Sequence, residues 1–128
     1  MSDFSGRPGV RLRESTVAGT VIVAPHGELD LLTAPALAAR LDALTAGPSP
    51  DVVVDLRAVS FIDCSALGVL CRARNRVRIR GGRLRLVSRS PGFRRLLHHT
   101  RLGGVFDLLP GLPRALTPGG RSVGARWS

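Results

Sequence analysis

Apolar residues recur along this chain in two alternating rhythms. Val10 to Val17 and Thr20 to Pro25 are β-leaning runs on either side of Ala18-Gly19, a pattern that predicts a hairpin with a glycine turn. His26-Gly27-Glu28-Leu29-Asp30 reads as a polar loop. Thr33 is placed to cap a following helix with Pro35 in its first turn, and Ala36, Leu37, Leu41 and Leu44 supply its apolar stripe. Gly47-Pro48-Ser49-Pro50 stops that helix. Val52-Val53-Val54, closed by Asp55-Leu56, is a short apolar run of the kind a strand buried on both faces shows.

A second helix is expected over 65–80. At about 100° per residue, Ala66, Val69, Leu70, Ala73 and Val77 fall in one narrow arc, its core face. Arg72, Arg76 and Arg80 flank that arc on one side, and Leu67, Cys71, Arg74 and Arg78 on the other. Gly81-Gly82 ends the helix. Arg83 to Ser88 reads as a strand with Leu84 and Leu86 on one face. Ser90-Pro91 is an N-cap followed by proline at the first helical position, opening a third helix to about Thr100. Val105-Phe106 is expected as a last short strand. The order β-β-α-β-α-β-α(-β) predicts a single α/β domain, a mixed and mostly parallel sheet of four to five strands packed with helices. The expected boundaries are a flexible N-terminus over 1–9, the domain over 10–109, and a disordered Pro/Gly/Ser/Arg-rich tail over 110–128.

Composition narrows the setting. The chain has 128 residues and is 44% hydrophobic, enough for one packed core. No apolar run approaches the roughly 20 residues of a membrane span, and the N-terminus lacks the apolar segment of a secretory signal, so a cytoplasmic location is expected. Cys64 and Cys71 on one helix would stand about two turns, roughly 10 Å, apart. That is too far for a disulfide. The net charge is +10, and every basic residue is arginine. Eleven arginines and no acid lie between Cys64 and Phe106, a density that suits a polyanion or an acidic protein partner. The aromatics that would stack bases are few, and no helix-turn-helix or RNA-binding motif is readable, which disfavours nucleic acid.

The candidate chemistry centres on Asp63-Cys64-Ser65, where strand gives way to helix. A serine there has two readings. It can cap the helix by accepting from a free backbone N–H, or it can carry a phosphate, which the same N–H groups and the helix dipole favour. Nucleophilic catalysis has little support. Cys64 has no readable His–carboxylate arrangement, and Ser65 lacks a Gly-x-Ser-x-Gly elbow. His98 and His99 would point about 100° apart on a helix, a poor metal pair. No cofactor or metal is expected.

Two stretches resemble the signatures of the STAS domain family (sulfate transporter and anti-sigma factor antagonist). One is Val23-x-x-x-Gly27-Glu28-Leu29-Asp30-x-x-Thr33-Ala34. The other runs from Val52-Val53-Val54-Asp55-Leu56 through Phe61-Ile62-Asp63-Cys64-Ser65-Ala66-Leu67-Gly68-Val69-Leu70, close to the family's Asp-Ser-Ser/Thr-Gly-Leu-Gly. The resemblance implies a bacterial anti-sigma factor antagonist without catalysis of its own. Such a protein binds an anti-sigma factor, often a serine kinase, and thereby frees a sigma factor. Phosphorylation at the second hydroxyl position, here Ser65, ends the binding, and a phosphatase restores it. Asp30, Asp63, Cys64, Ala66, Leu67 and Arg74 are the expected partner-binding residues. Two positions depart from the pattern: Cys64 stands for the first serine and Ala66 for the glycine. The alternatives are a STAS scaffold without a working switch, in which Ser65 is only a cap, and a basic nucleic-acid-binding domain.

Overall fold

A computed structural model describes residues 11–117. The expected flexible segment 1–9 and the last part of the expected tail, 118–128, lie outside the described residues. Six strands and three α-helices follow in the order β1 (Arg11–Val17), β2 (Thr20–Leu29), α1 (Ala34–Leu44), β3 (Asp51–Asp55), β4 (Val59–Ile62), α2 (Cys64–Ile79), β5 (Arg83–Val87), α3 (Pro91–His99) and β6 (Asp107–Leu109), with a final 3-10 turn at Arg114–Leu116. The strands lie in the order β1-β2-β3-β5-β6, with β4 also on β2. Among the described residues only β1 and β2 pair antiparallel; β2–β3, β2–β4, β3–β5 and β5–β6 are parallel. The mixed, mostly parallel α/β sheet expected from the element order is therefore present, with six strands in place of four to five.

Local chemistry explains most of the boundaries. The β1–β2 turn has Ala18 at φ 52° and Gly19 at φ 86°, the left-handed pair that a two-residue hairpin requires. α2 begins at Asp63, whose carboxylate accepts from the N–H groups of Ser65 (2.9 Å) and Ala66 (3.3 Å). It ends in a Schellman motif: Gly82 N–H donates to Val77 O (2.8 Å) and Gly81 N–H to Arg78 O (3.2 Å), with Gly81 at φ 69°. Gly82 cannot be replaced cheaply, because a Cβ there would lie 2.1 Å from Pro50 O. Ser90 caps α3 by accepting from Phe93 N–H at 3.1 Å.

Four elements differ from the sequence expectation. Residues 26–29 continue β2 instead of forming a loop: past a register shift at Gly27 (φ 99°) the strand pairs with β4. β4 itself was not expected, since its Phe61 and Ser60 are exposed and leave no continuous apolar run. The last strand is at 107–109, two residues beyond Val105-Phe106. The domain also does not stop at 109. Leu116, expected in the disordered tail, is 5% exposed and packs with Ile22, Val53 and Val87 on the sheet face away from the helices.

The main core lies between the sheet and the helices. Val23, Val52, Val54 and Leu86 meet Leu37 and Leu41 of α1, Leu67, Leu70 and Ala73 of α2, and Phe93 and Leu97 of α3. Burying each such leucine or phenylalanine contributes about 1.5–3 kcal/mol. Arginines fasten the helices over this core. Arg72 reaches Asp42 (3.0 Å), Arg76 reaches Thr45 Oγ1 (2.9 Å) and Asp42 O (3.0 Å), and Arg80 reaches Ala46 O (3.2 Å). One arginine per turn of α2 thus meets the C-terminal end of α1, where carbonyls attract cations. On β5, Arg85 is 7% exposed and donates to Asp51 at 3.0 Å. Part of the arginine cluster therefore serves the fold.

Candidate functional site

The end of β2, the β2–α1 loop and the start of α2 meet at one edge of the domain. Parallel pairing sets Leu29 beside Ile62, and Asp63 N–H donates to Leu29 O at 3.1 Å. Asp30 and Ser65, 35 positions apart in the chain, are thereby brought to the same edge.

Each loop residue has a defined local role. Asp30 Oδ1 accepts from the N–H groups of Leu32 (3.0 Å) and Thr33 (3.1 Å). Thr33 Oγ1 accepts from Asp30 N–H (2.9 Å) and donates to Glu28 O (2.6 Å). Thr33 occupies the N-cap position of α1 but makes no side-chain cap bond, so the expected capping role is not met; the Asp30 carboxylate closes the turn before the helix, and the Asp30 carbonyl accepts from Ala34 N–H at 2.8 Å. The turn holds Leu31 and Leu32 outward, 74% and 81% exposed.

At the start of α2, Ser65 Oγ donates to Asp63 Oδ1 at 2.5 Å. The same oxygen takes the two backbone N–H groups of the cap. Asp63, and not Ser65, is thus the N-cap. The Asp63 carboxyl is held below its ordinary value. The largest cause is the Ser65 hydroxyl, which works against partial desolvation and is joined by the N–H groups of Ala66, Ser65 and Leu31.

The remaining expected residues separate. Cys64 is exposed, and Asp30, Asp63 and Ser65 are half-buried. Ala66 and Leu67, expected to touch a partner, are 0% and 3% exposed. Both belong to the core, because α2 lies flat enough on the sheet to bury the whole edge of its apolar arc; neither side chain is available to a partner. Arg74 is half-buried and lies nine positions along α2 from Ser65, about 13 Å at the helical rise, so it stands apart from the site. Leu31, Leu32 and the exposed Gly68, one turn after Ser65 with nothing within 4 Å of an added Cβ, were not foreseen. A Leu-Leu pair inside a polar loop, outside any helical stripe, was the available signal.

A model of the STAS domain matches residues 11–115. The chain belongs to the STAS domain family. Among its relatives is an anti-sigma-F factor antagonist, RsfA, of Mycobacterium tuberculosis, 35% identical over 100 residues that cover 76% of this chain and 77% of RsfA. The fold is similar to the crystal structure of an anti-sigma factor antagonist from Mycobacterium paratuberculosis, with TM-score 0.76, 33% identity, and 88% of this chain and 95% of that one covered. It is also similar in fold to the phosphorylated form of the Bacillus cell fate determinant SpoIIAA, with TM-score 0.63 and 21% identity over 81% of this chain and 92% of that one. Among the described residues no helix is long and apolar enough to cross a membrane.

Proposed function

We propose that this STAS domain is an anti-sigma factor antagonist of the bacterial cytoplasm. It docks an anti-sigma factor through the edge formed by Asp30, Leu31, Leu32, Asp63, Cys64 and Ser65, and so releases a sigma factor. It performs no catalysis itself. A serine kinase, the anti-sigma factor or a companion, phosphorylates Ser65 and ends the binding, and a phosphatase restores it. The relatives named above supply the class of partner. The observation that carries the switch is the Ser65–Asp63 hydrogen bond beside two exposed leucines. Because Asp63 alone caps the helix, the Ser65 hydroxyl is not required for the cap and is available for modification. Phosphorylation would replace the donated proton with about −1.5 to −2 charges next to a carboxylate already ionised at neutral pH. At the folded surface water and the helix N-terminus moderate that charge. Across a closed apolar interface the charge would be desolvated and unpaired, and the partner would be expelled.

The test is capture from a lysate of the native cells with Ser65→Ala and Ser65→Asp baits, followed by mass spectrometry, with circular dichroism to check folding. The expected result is an anti-sigma factor retained by Ser65→Ala and lost from Ser65→Asp, both baits folded. Equal capture of one protein by both baits would remove the switch and leave a scaffold. Capture abolished by nuclease would assign the arginine-rich surface to nucleic acid instead.

A further inference from the structure

Beside the docking edge, between β4 and the start of α3, lies a groove of about 320 Å3. Its hydrocarbon walls are Leu56, Val59, Phe61, Ile62, Phe93 and Leu96. The volume falls at the small end of the roughly 300–1,000 Å3 spanned by ligand pockets.

Among the described residues the polar lining consists of three serines, and no acid lines the groove. Ser60 Oγ donates to Gly27 O at 3.3 Å. Ser88, 3% exposed, accepts from Ser90 N–H at 3.1 Å, and Ser90 Oγ accepts from Phe93 N–H at 3.1 Å. A serine hydroxyl has one proton to give. Among the described residues no acceptor takes the protons of Ser88 or Ser90. Gly92 shows what stands next to them: a Cβ there would lie 3.6 Å from Ser90 Oγ and 3.9 Å from Arg95 Nη2. Arg95 therefore folds back over the first turn of α3, and it has no carboxylate partner among the described residues. One end of the groove offers hydroxyl donors, with the exposed Arg95 guanidinium outside the lining but beside Gly92, and the rest is hydrocarbon.

The geometry points to a binding site for a small amphipathic carboxylate, with its head group on Arg95, Ser88 and Ser90 and its hydrocarbon body along Phe61, Phe93 and Leu96. A carboxylate matches the planar fork of one guanidinium. A polyphosphate would bring several charges to that single cation and leave the hydrocarbon walls unused. The site depends neither on Ser65 nor on the identity of the protein partner.

The test is an NMR amide titration of the full chain with octanoate, and with octanol as the neutral control. Saturable shifts are expected at Ser60–Ile62 and Ser88–Leu96. Arg95→Gln, an exposed position, should weaken octanoate by about tenfold or more and leave octanol unchanged. Gly92→Leu, which fills the head of the groove, should weaken both ligands. Thermal melts establish that each variant is folded. Shifts scattered outside the groove, no saturation in the millimolar range, or equal octanoate affinity in wild type and Arg95→Gln would each overturn the site.

Discussion

Leu31 and Leu32 offer the sharpest separation of binding from folding. They are 74% and 81% exposed, so they contribute little to the core and much to any surface that covers them. Full burial of a leucine side chain is worth about 1.5–3 kcal/mol. Covering the three quarters still exposed, and allowing for the Cβ that alanine keeps, leaves about 2–3 kcal/mol for the pair. Leu31→Ala/Leu32→Ala should then weaken the anti-sigma factor complex roughly 30- to 150-fold. The Asp30 turn that holds the loop does not use either leucine side chain, and stability should change by no more than about 0.5 kcal/mol. Isothermal titration calorimetry against the purified partner measures the first quantity, and urea unfolding the second. Ile79, 80% exposed at the far end of α2, is the control: Ile79→Ala removes comparable apolar area about 20 Å away along the helix and should leave the affinity unchanged. An affinity for the double variant within threefold of wild type would refute the docking edge. So would an equal loss from Ile79→Ala.

Two further predictions test the scaffold around this edge. The Asp63 carboxyl, lowered chiefly by the Ser65 hydroxyl, should titrate below the ordinary aspartate range in a carbon-13 NMR titration and move up in Ser65→Ala; an unchanged value would mean the hydroxyl does not bind it. Because the folded value is depressed, the stability that this carboxylate contributes is present above the unfolded-state value, about 3.9, and is lost as pH falls through the folded value. The stability gap between wild type and Asp63→Asn should accordingly narrow in acid. At the other end of α2, Gly82→Ala would push a Cβ to 2.1 Å from the Pro50 carbonyl. It should cost about 1–3 kcal/mol or more in urea unfolding, whereas Gly68→Ala, with open space around it, should gain up to about 1 kcal/mol. Equal stability of the two would contradict the close approach of the α1–β3 and α2–β5 connections.

Much of this architecture is local and therefore legible along the chain. The hairpin at Ala18-Gly19, the apolar run of β3, the stripe of α2 and the Ser90-Pro91 start of α3 each depend on neighbours within a few residues. The motifs around Asp30 and Asp63-Cys64-Ser65 were equally plain, and they located the candidate site at once. What stayed hidden depends on partners distant in sequence. Residues 26–29 and 59–62 are unremarkable as separate stretches, and become strands because each supplies the other's hydrogen bonds. Leu67 lies at the margin of a helical arc. Periodicity gives its angle on the helix but not how far the sheet wraps beneath it, and the sheet buries it. Leu116 sits among prolines and glycines that read as tail, until Ile22, Val53 and Val87 offer it a surface. The arginines of α2 looked uniformly like an electrostatic face, and only the position of α1 shows that Arg72, Arg76 and Arg80 are spent on its C-terminal end. Sequence alone determined the family, the three helices with most of the strands, and the serine at the helix start. Only the tertiary structure decided which side chains surround that serine, because exposure is set by what packs on a residue from elsewhere in the chain, and local pattern carries no record of it.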